Sequence, residues 1–402
     1  MALSCTRPPR EDRSRRFPHA DLHAYLEECR HLALDAIRTI IPRDTAYGPV
    51  LYELMLDYPL RSAKALRPAL CMATCRALGG RLEAVLRSAA VLEFYHNAFL
   101  IHDDVEDGSH RRRDRPTLHE LHGAPIAINV GDAMLSLALQ PLLDNMGTLG
   151  LGKALRILQT VARMTRETAE GQAIELRWVR RGCWQLSDAD YVVMVQKKTG
   201  WYTFAAPMVI GGIVAGVPAS RLTELRRFAT ALGTGFQIHD DVLNLIGAES
   251  LYGKEIGGDL WEGKHTLILL HALRRASADE RARALAIIRK RRPAARPRRG
   301  DADGLRRLVA GLRARRHVTA AGQRALERAL HGPASGVKTE ADVRFLRGLI
   351  DRHGSIPYAR RVARRWAERA RRRLVGIERW MPPSVHRDFI RGLVDFVVTR
   401  ER

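Results

Sequence analysis

The sequence predicts an all-α fold, on three observations. Nearly every periodic segment repeats its apolar residues at helical spacing. No alternating run bounded by Asn-Gly or Asp-Gly turns marks a strand or hairpin. Aromatic content is only 6%, which suits helices packed through Leu and Ala. With 402 residues and 46% hydrophobic content, the chain can bury one large core or two ordinary ones.

Residues 1–20 are polar and Arg-rich and lack an apolar run, so they read as a flexible basic tail and not as a secretory signal. Residues 21–39 form an amphipathic helix after Pro18. A helix over 66–78 places Pro68 near its start, where the missing N–H does no harm. The long helix 81–102 ends in an acidic run. A helix over 125–146 opens at Pro125, and 153–177, 188–207 and 222–246 follow, the last ending in a second acidic run. Residues 267–275 continue after a loop. The Pro-, Gly- and Arg-rich stretch 289–304 reads as a flexible loop. Two short basic helices, 305–316 and 320–330, and a linker, 331–336, come next. Thr339 with Asp342 three residues on forms a near capping box for a helix over 339–353. Helices 356–380 and 384–399 complete a single domain over 21–402, with an Arg-rich insertion at about 289–336.

Five cysteines, Cys5, Cys29, Cys71, Cys75 and Cys183, are an odd number with no CxxC spacing. That argues against a disulfide framework and for a reducing, cytoplasmic location. Cys71 and Cys75 share a helical face but lack two further zinc ligands, so they read as buried thiols. The weakly polar stretch 204–219 is shorter than the roughly 20 residues of a membrane span and is broken by Pro207 and Pro218, so no transmembrane segment is expected. Net charge is +23, and residues 274–330 hold 18 Lys+Arg against 5 Asp+Glu. This basic stretch fits either a solvated insertion or a polyanion contact. No aromatic interleaving or nucleic-acid motif accompanies it, so no nucleic acid is expected as a partner. Peripheral contact with an anionic membrane stays open.

The chemistry lies in two similar runs, LIHDDVEDGSHRRRDRP and FQIHDDVLNL. Asp103, Asp104 and Asp107 occupy i, i+1 and i+4, and Asp240, Asp241 and Asn244 repeat the spacing. Positions i and i+4 on a helix lie about 5–6 Å apart on one face. Two such helices facing each other would form a cage of oxygen ligands. Mg²⁺ takes few carboxylates, several waters and phosphate oxygens, so the implied ligand is a metal–diphosphate complex. A single run of this kind is usually a solvated acidic face. Two copies, each behind an apolar run ending Ile-His, are not.

Basic residues surround both runs. Lys64 and Arg67 precede the first, and His96 lies two turns before Asp103. Arg112 and Arg113 follow it. Lys198 and Thr199 precede the second run, and Lys254 and Lys264 follow it. Together they supply charge for two diphosphates, one bound through metal and one by cations alone.

This order of motifs resembles the trans-isoprenyl diphosphate synthases (polyprenyl synthetases), most like bacterial geranylgeranyl diphosphate synthases, over roughly residues 51–273 and again near the C-terminus. The resemblance implies an all-α bundle around a central active-site cavity, of the isoprenoid synthase type. It also implies a homodimer and about three Mg²⁺ ions per site. By that resemblance Asp103, Asp107 and Asp240 are Mg²⁺ ligands, with Asp104, Asp241 and Asn244 as auxiliary ones. Arg112, Lys198 and Lys264 grip an allylic diphosphate, and Lys64, Arg67, His96 and Arg113 hold isopentenyl diphosphate. Thr199 and Gln237 line the cavity where the carbocation forms, and Lys254 closes over the metal-bound diphosphate.

The chain departs from the family pattern at three places. Ser62-Ala63 stands where Gly-Gly often precedes the Lys, Asp114 stands where Gly follows the Arg pair, and Asn244 replaces an acid. The chemistry implied is loss of diphosphate to give an allylic cation, attack by the isopentenyl double bond, and loss of a proton. Positive charge at the leaving group, proximity and exclusion of water would drive it.

Residues four and five before Asp103 sit about 6–7.5 Å down the helix axis. They are Phe99 and Ala98, with Tyr95 a turn further on. Ala98 leaves space, whereas Phe99 and Tyr95 are candidate plugs. A floor at Tyr95 means a twenty-carbon product, the favoured reading; a floor at Phe99 means fifteen. An all-α terpene cyclase would not need the isopentenyl residues, and a non-catalytic regulatory subunit would not need both Asp runs.

Overall fold

The computed structural model describes residues 22–42, 46–61, 64–113, 115–246, 257–293, 299–315, 317–319, 321–323 and 336–399. The tail 1–20, Ser62, Ala63, Asp114, Lys254 and most of 320–330 lie outside the described residues.

The chain is a helical bundle, as the sequence predicts. Its helices are α1 (Leu22–Ile40), α2 (Leu66–Ala77), α3 (Leu82–Asp107), α4 (Ala124–Leu137), α5 (Leu139–Leu149), α6 (Leu151–Arg181), α7 (Asp188–Val195), α8 (Ala206–Ala215) and α9 (Ala219–Ile246). Then come α10 (Gly258–Glu262), α11 (Leu267–Arg275), α12 (Ala278–Ile288), α13 (Arg299–Ala314), α14 (Glu340–Arg352), α15 (Ser355–Glu378) and α16 (Val385–Thr399). Residues 88–98 of α3 are buried without interruption. A helix apolar on all sides belongs at the centre of a bundle. α9 packs along α15 and against α8, and α8 packs against α2.

Both acidic runs lie in or near the last turn of a long helix, α3 and α9. There the helix dipole presents its negative end, so acids are unfavourable without added positive charge. The apolar bodies of α3 and α9 hold them there against that preference.

Some expectations need correction. The predicted helix 125–146 divides at Ala138 into α4 and α5. Pro141 at the third position of α5 cannot donate back to Leu137, which interrupts the ladder. The predicted helix 188–207 contains a π-helical segment, Gln196–Ala205, between α7 and α8. α12 was not foreseen, although its Ser277/Glu280 capping box is a readable start signal. α13 begins at Arg299, inside the stretch expected to be a loop. A two-stranded antiparallel ribbon, Arg111–Arg112 with Arg115–Pro116, follows α3 where no strand was expected. The Thr339/Asp342 capping box is present at α14.

Residues 204–219 are not the most span-like stretch. Ala124–Leu149 is long and apolar enough to cross a membrane by composition alone, and only 39% of its window is buried. Cys29, Cys71, Cys75 and Cys183 are free thiols, the first three buried.

Candidate active site

The first acidic run is gripped by two lysines from elsewhere in the chain. Lys198 Nζ, on the π-helical segment, lies 3.0 Å from Asp103 Oδ1 and 2.5 Å from Glu175 Oε2 on α6. Lys264 Nζ, just after α10, lies 2.8 Å from Asp107 Oδ2 and 3.2 Å from Glu262 Oε2. α10 packs on α9, so Lys264 ties the end of α3 to the half of the chain that carries the second run. The close approach of α6 to the π-helical segment depends on Gly171, where a Cβ would sit 2.2 Å from the Lys198 amide nitrogen.

The electrostatics follow from this burial and crowding. Burial alone would raise the Asp103 carboxyl, but Lys198, Lys264 and Arg112 outweigh it and hold the acid well below the usual range. Asp107 is raised, by burial first and then by the Asp103 and Glu175 charges, which Lys264 and Lys198 only partly offset. Burial likewise opposes the charged forms of Lys198 and Lys264, and the surrounding carboxylates reverse it.

The middle acid of each run faces the protein. Asp104 is fully buried and accepts hydrogen bonds from Tyr58 Oη at 2.6 Å and from Arg112 Nε at 2.9 Å, with Nη2 at 2.5 Å. Asp241 accepts from Tyr191 Oη at 2.6 Å and from Gln237 Nε2 at 2.9 Å. Its carboxyl is raised, chiefly by burial and then by Asp259. Asn244 Oδ1 accepts from the Asp259 amide at 3.1 Å, and its carbonyl accepts from the Gly257 amide at 2.6 Å. Asp104 and Asp241, expected as auxiliary ligands, are thus tied to the protein, and Asn244 is bonded to Gly257 and Asp259 at the start of α10. Asp103, Asp107 and Asp240 are less buried than Asp104 and Asp241.

Arg112, expected to grip a diphosphate, is buried and paired with Asp104, with Asp103 Oδ2 3.6 Å away. Arg61 fixes the ribbon that carries it, donating to the Arg112 and Pro116 carbonyls at 2.8 Å and pairing with Asp57. Arg113 donates to the Tyr58 carbonyl at 2.8 Å. Its pKa is pushed down to about 10 by burial and by the neighbouring Arg112, Arg67 and Arg61, against the pull of Glu93. Arg61 and Arg112 are neutralised by Asp57 and Asp104, which leaves half-buried Arg67 and Arg113 as the less compensated cations of this group. Among the described non-glycine residues, positive φ occurs only at Ala65 (46°) and Arg113 (51°), each beside a basic residue of this group. Backbone strain of this kind is held by surrounding contacts and collects at functional sites.

Tyr202, which sequence reasoning missed, organises the rest of that group. The Arg67 guanidinium lies 4.5 Å over its ring, His96 stacks on it at 5.7 Å, and Phe99 meets it edge-on at 5.6 Å. Arg67 also donates to Thr203 Oγ1 at 2.8 Å. Lys64 lies 5.7 Å over the Phe396 ring of α16. Tyr202 stands four residues after Lys198, so helical spacing was the available signal. Glu175, Tyr58, Tyr191 and Glu262 were also missed; the first three have partners far away in sequence, whereas Glu262 lies two residues from its partner Lys264. Thr199 is half-buried on the same segment as Lys198.

Tyr95 and Phe99 lie 5.9 Å apart, centroid to centroid, and Phe99 is half-buried. Ala98 has no accessible surface, so it packs in the core and does not widen the cavity.

A family model for polyprenyl synthetase matches residues 49–298. The short chain isoprenyl diphosphate synthase of Methanocaldococcus jannaschii is 33% identical over 257 residues, covering 63% of this chain and 74% of that protein. The geranylgeranyl pyrophosphate synthetase of Pyrococcus horikoshii has a similar structure, with a TM-score of 0.74 at 28% identity, covering 94% of this chain and 98% of that one. The polyprenyl synthase of Caulobacter crescentus, solved with calcium and isoprenyl diphosphate, gives a TM-score of 0.72 at 28% identity, over 96% and 99%. The bundle, the paired Asp-rich helix ends and a family match over most of the length agree: the chain belongs to the polyprenyl synthetase family.

Proposed function

We propose that the protein is a trans-prenyltransferase that condenses isopentenyl diphosphate with an allylic diphosphate, and that its main product is geranylgeranyl diphosphate. The observation that carries this is the presence of two separate cation groups. Lys198, Lys264 and Arg112 lie among the carboxylates of the first run, and Arg67 and Arg113 form a second group beside Arg61. One suits an ionising diphosphate and the other a diphosphate that stays intact. A cyclase, which ionises one substrate, needs only the first. The names of the relatives point the same way.

The donor set fits Mg²⁺. Asp103, Asp107 and Asp240 offer hard carboxylate oxygens, yet among the described residues no closed group of three or more ligating side chains exists. Mg²⁺ is commonly bound through one or two carboxylates with substrate phosphate and water completing the shell. When bound, it supplies Lewis-acid charge to the departing diphosphate. Lys198 and Lys264 supply fixed positive charge where negative charge develops. Lys64, Arg67, His96 and Arg113 orient the second substrate, and Tyr202 holds Arg67 and His96 in one arrangement. Gln237 steadies Asp241, and Thr199 lines the cavity. Arg112 acts through Asp104 and Asp103, by positioning the end of α3. Lys254 is proposed to close the site. Apolar walls keep water from the cation.

Farnesyl diphosphate is the second reading for the product, favoured by the Phe99–Tyr202 contact, which makes Phe99 a possible floor. The protein acts as a cytoplasmic homodimer in this reading. The support is an exposed apolar face on α4 to α6 that includes Ile126, Leu139, Leu143, Met146 and Leu151, which a second copy would cover.

The test is binding of a non-ionising farnesyl thiolodiphosphate by calorimetry. Tight binding that needs Mg²⁺ and is lost in both Asp103→Ala and Asp240→Ala supports the assignment. Metal-independent binding that survives both changes contradicts it.

A further inference from the structure

The outer side of the segment that carries Lys198 borders a second cavity, of about 270 Å³. Its lining is apolar at Trp201, Val209, Ile213 and Leu222, with Gln159, Thr160 and Thr223 as neutral polar members. Its rim is cationic: Arg156 and Arg163 from α6 and Arg226 from α9. The Arg163 guanidinium lies 4.7 Å over the Trp201 ring.

The nearby acids do not neutralise this rim. Glu167 lies 3.5 Å from Arg163 Nε, but it is also bonded to Lys197 Nζ at 2.7 Å. Glu170 takes the same lysine at 2.5 Å, and Glu224 pairs with Arg221 at 3.2 Å. Arg226 is depressed by burial and then by Arg163 and Arg227, and Arg227 also bears on Arg373 of α15. Guanidiniums that face one another across a partly apolar lining match a ligand with a phosphate-type head and a hydrocarbon tail. The volume lies just below the roughly 300 Å³ at which small-molecule pockets begin, so it suits the head and the first carbons of a chain that continues along the surface.

One segment serves both sites. Trp201 faces this cavity, while Lys198 and Tyr202 face Asp103, Arg67 and His96. We propose that the Arg156/Arg163/Arg226 cavity is an accessory binding site for an anionic amphiphile with a phosphate or diphosphate head, and that its occupancy is transmitted to the active site through Gln196–Ala205. The sources of that chemistry are a free prenyl diphosphate or the headgroup of an anionic lipid. The first source rests on the proposed function, and the site itself does not.

The experiment uses protein labelled with 5-fluorotryptophan, with Trp201→Phe assigning its ¹⁹F resonance. Geranylgeranyl diphosphate with EDTA, phosphatidylglycerol vesicles, inorganic pyrophosphate and neutral geranylgeraniol are titrated in separate arms. A Trp201 shift with the diphosphate alone identifies the free ligand, and a shift with the vesicles identifies a lipid. In either case the Arg163→Gln/Arg226→Gln variant weakens the response about tenfold or more. Salt weakens it in the unaltered protein, a check that does not depend on the variant folding. No Trp201 shift with either anionic amphiphile, an equal shift with geranylgeraniol, or an undiminished shift in the folded double variant overturns the proposal. Failure here leaves condensation activity untouched, so the two readings fail separately.

Discussion

Tyr58 donates its hydroxyl to Asp104 Oδ2 at 2.6 Å, from a position 46 residues earlier in the chain. Tyr191 makes the same bond to Asp241, also at 2.6 Å. Each acidic run therefore has one carboxylate tied to the protein, which fixes the helix end. The outer acids of the first run, Asp103 and Asp107, meet Lys198 and Lys264 in the free protein and, in the proposed reading, metal and diphosphate as well.

This predicts opposite consequences for neighbouring acids. Asp104→Ala leaves the buried Arg112 guanidinium without its partner and costs about 3–5 kcal/mol in urea unfolding. Asp103→Ala leaves Lys198 its Glu175 partner, so it costs less stability than Asp104→Ala but lowers kcat about a hundredfold or more. Equal effects of the two on stability would contradict the division of labour.

Tyr58→Phe removes one bond to a buried carboxylate that keeps its Arg112 contacts. A loss of about 1–3 kcal/mol is expected, with a raised Mg²⁺ concentration for half-maximal rate. An unchanged Mg²⁺ response would make Tyr58 a purely structural residue.

Gly171→Ala drives a methyl group into the Lys198 backbone. Overpacking of this kind costs about 1–3 kcal/mol, and here it also displaces Lys198, so kcat should fall more than in Gly147→Ala, where nothing lies within 4 Å. Equal activity in both variants would show that the segment tolerates movement.

Phe99→Ala opens the aromatic contact with Tyr202 and Tyr95; with the floor at Tyr95 the product stays at twenty carbons, and lengthening by an isoprene unit would place the floor at Phe99. An unchanged product distribution removes Phe99 as the floor.

His386 lies 2.9 Å from Tyr25 Oη, and its pKa is pushed down to about 4, by burial first and then by Arg76. A histidine depressed on folding is neutral in the native state, so its contribution is present above about pH 6.5 and is lost as pH falls toward 4. Stability should drop by about 2 kcal/mol from this residue between pH 7 and pH 5, and His386→Gln should flatten that slope. A parallel slope in the variant would assign the acid sensitivity elsewhere.

The helices were largely legible because their signals are local: apolar spacing, Pro68 at a start, Thr339 as a cap. The acidic runs and basic residues were legible because their spacing is local too. What escaped depends on contacts distant in sequence. No pattern near Asp104 announces Tyr58, and none near Lys198 announces Glu175 on α6 or the close approach at Gly171. Nor does the spacing around Asn244 announce that its side-chain oxygen accepts from the Asp259 amide in α10.

The most direct measurement is incubation of the purified protein with Mg²⁺, labelled isopentenyl diphosphate and the five-, ten- and fifteen-carbon allylic diphosphates in turn, followed by chromatography of the dephosphorylated products. The account predicts label in a twenty-carbon alcohol from each primer accepted. Folded protein that incorporates no label with any primer would contradict it.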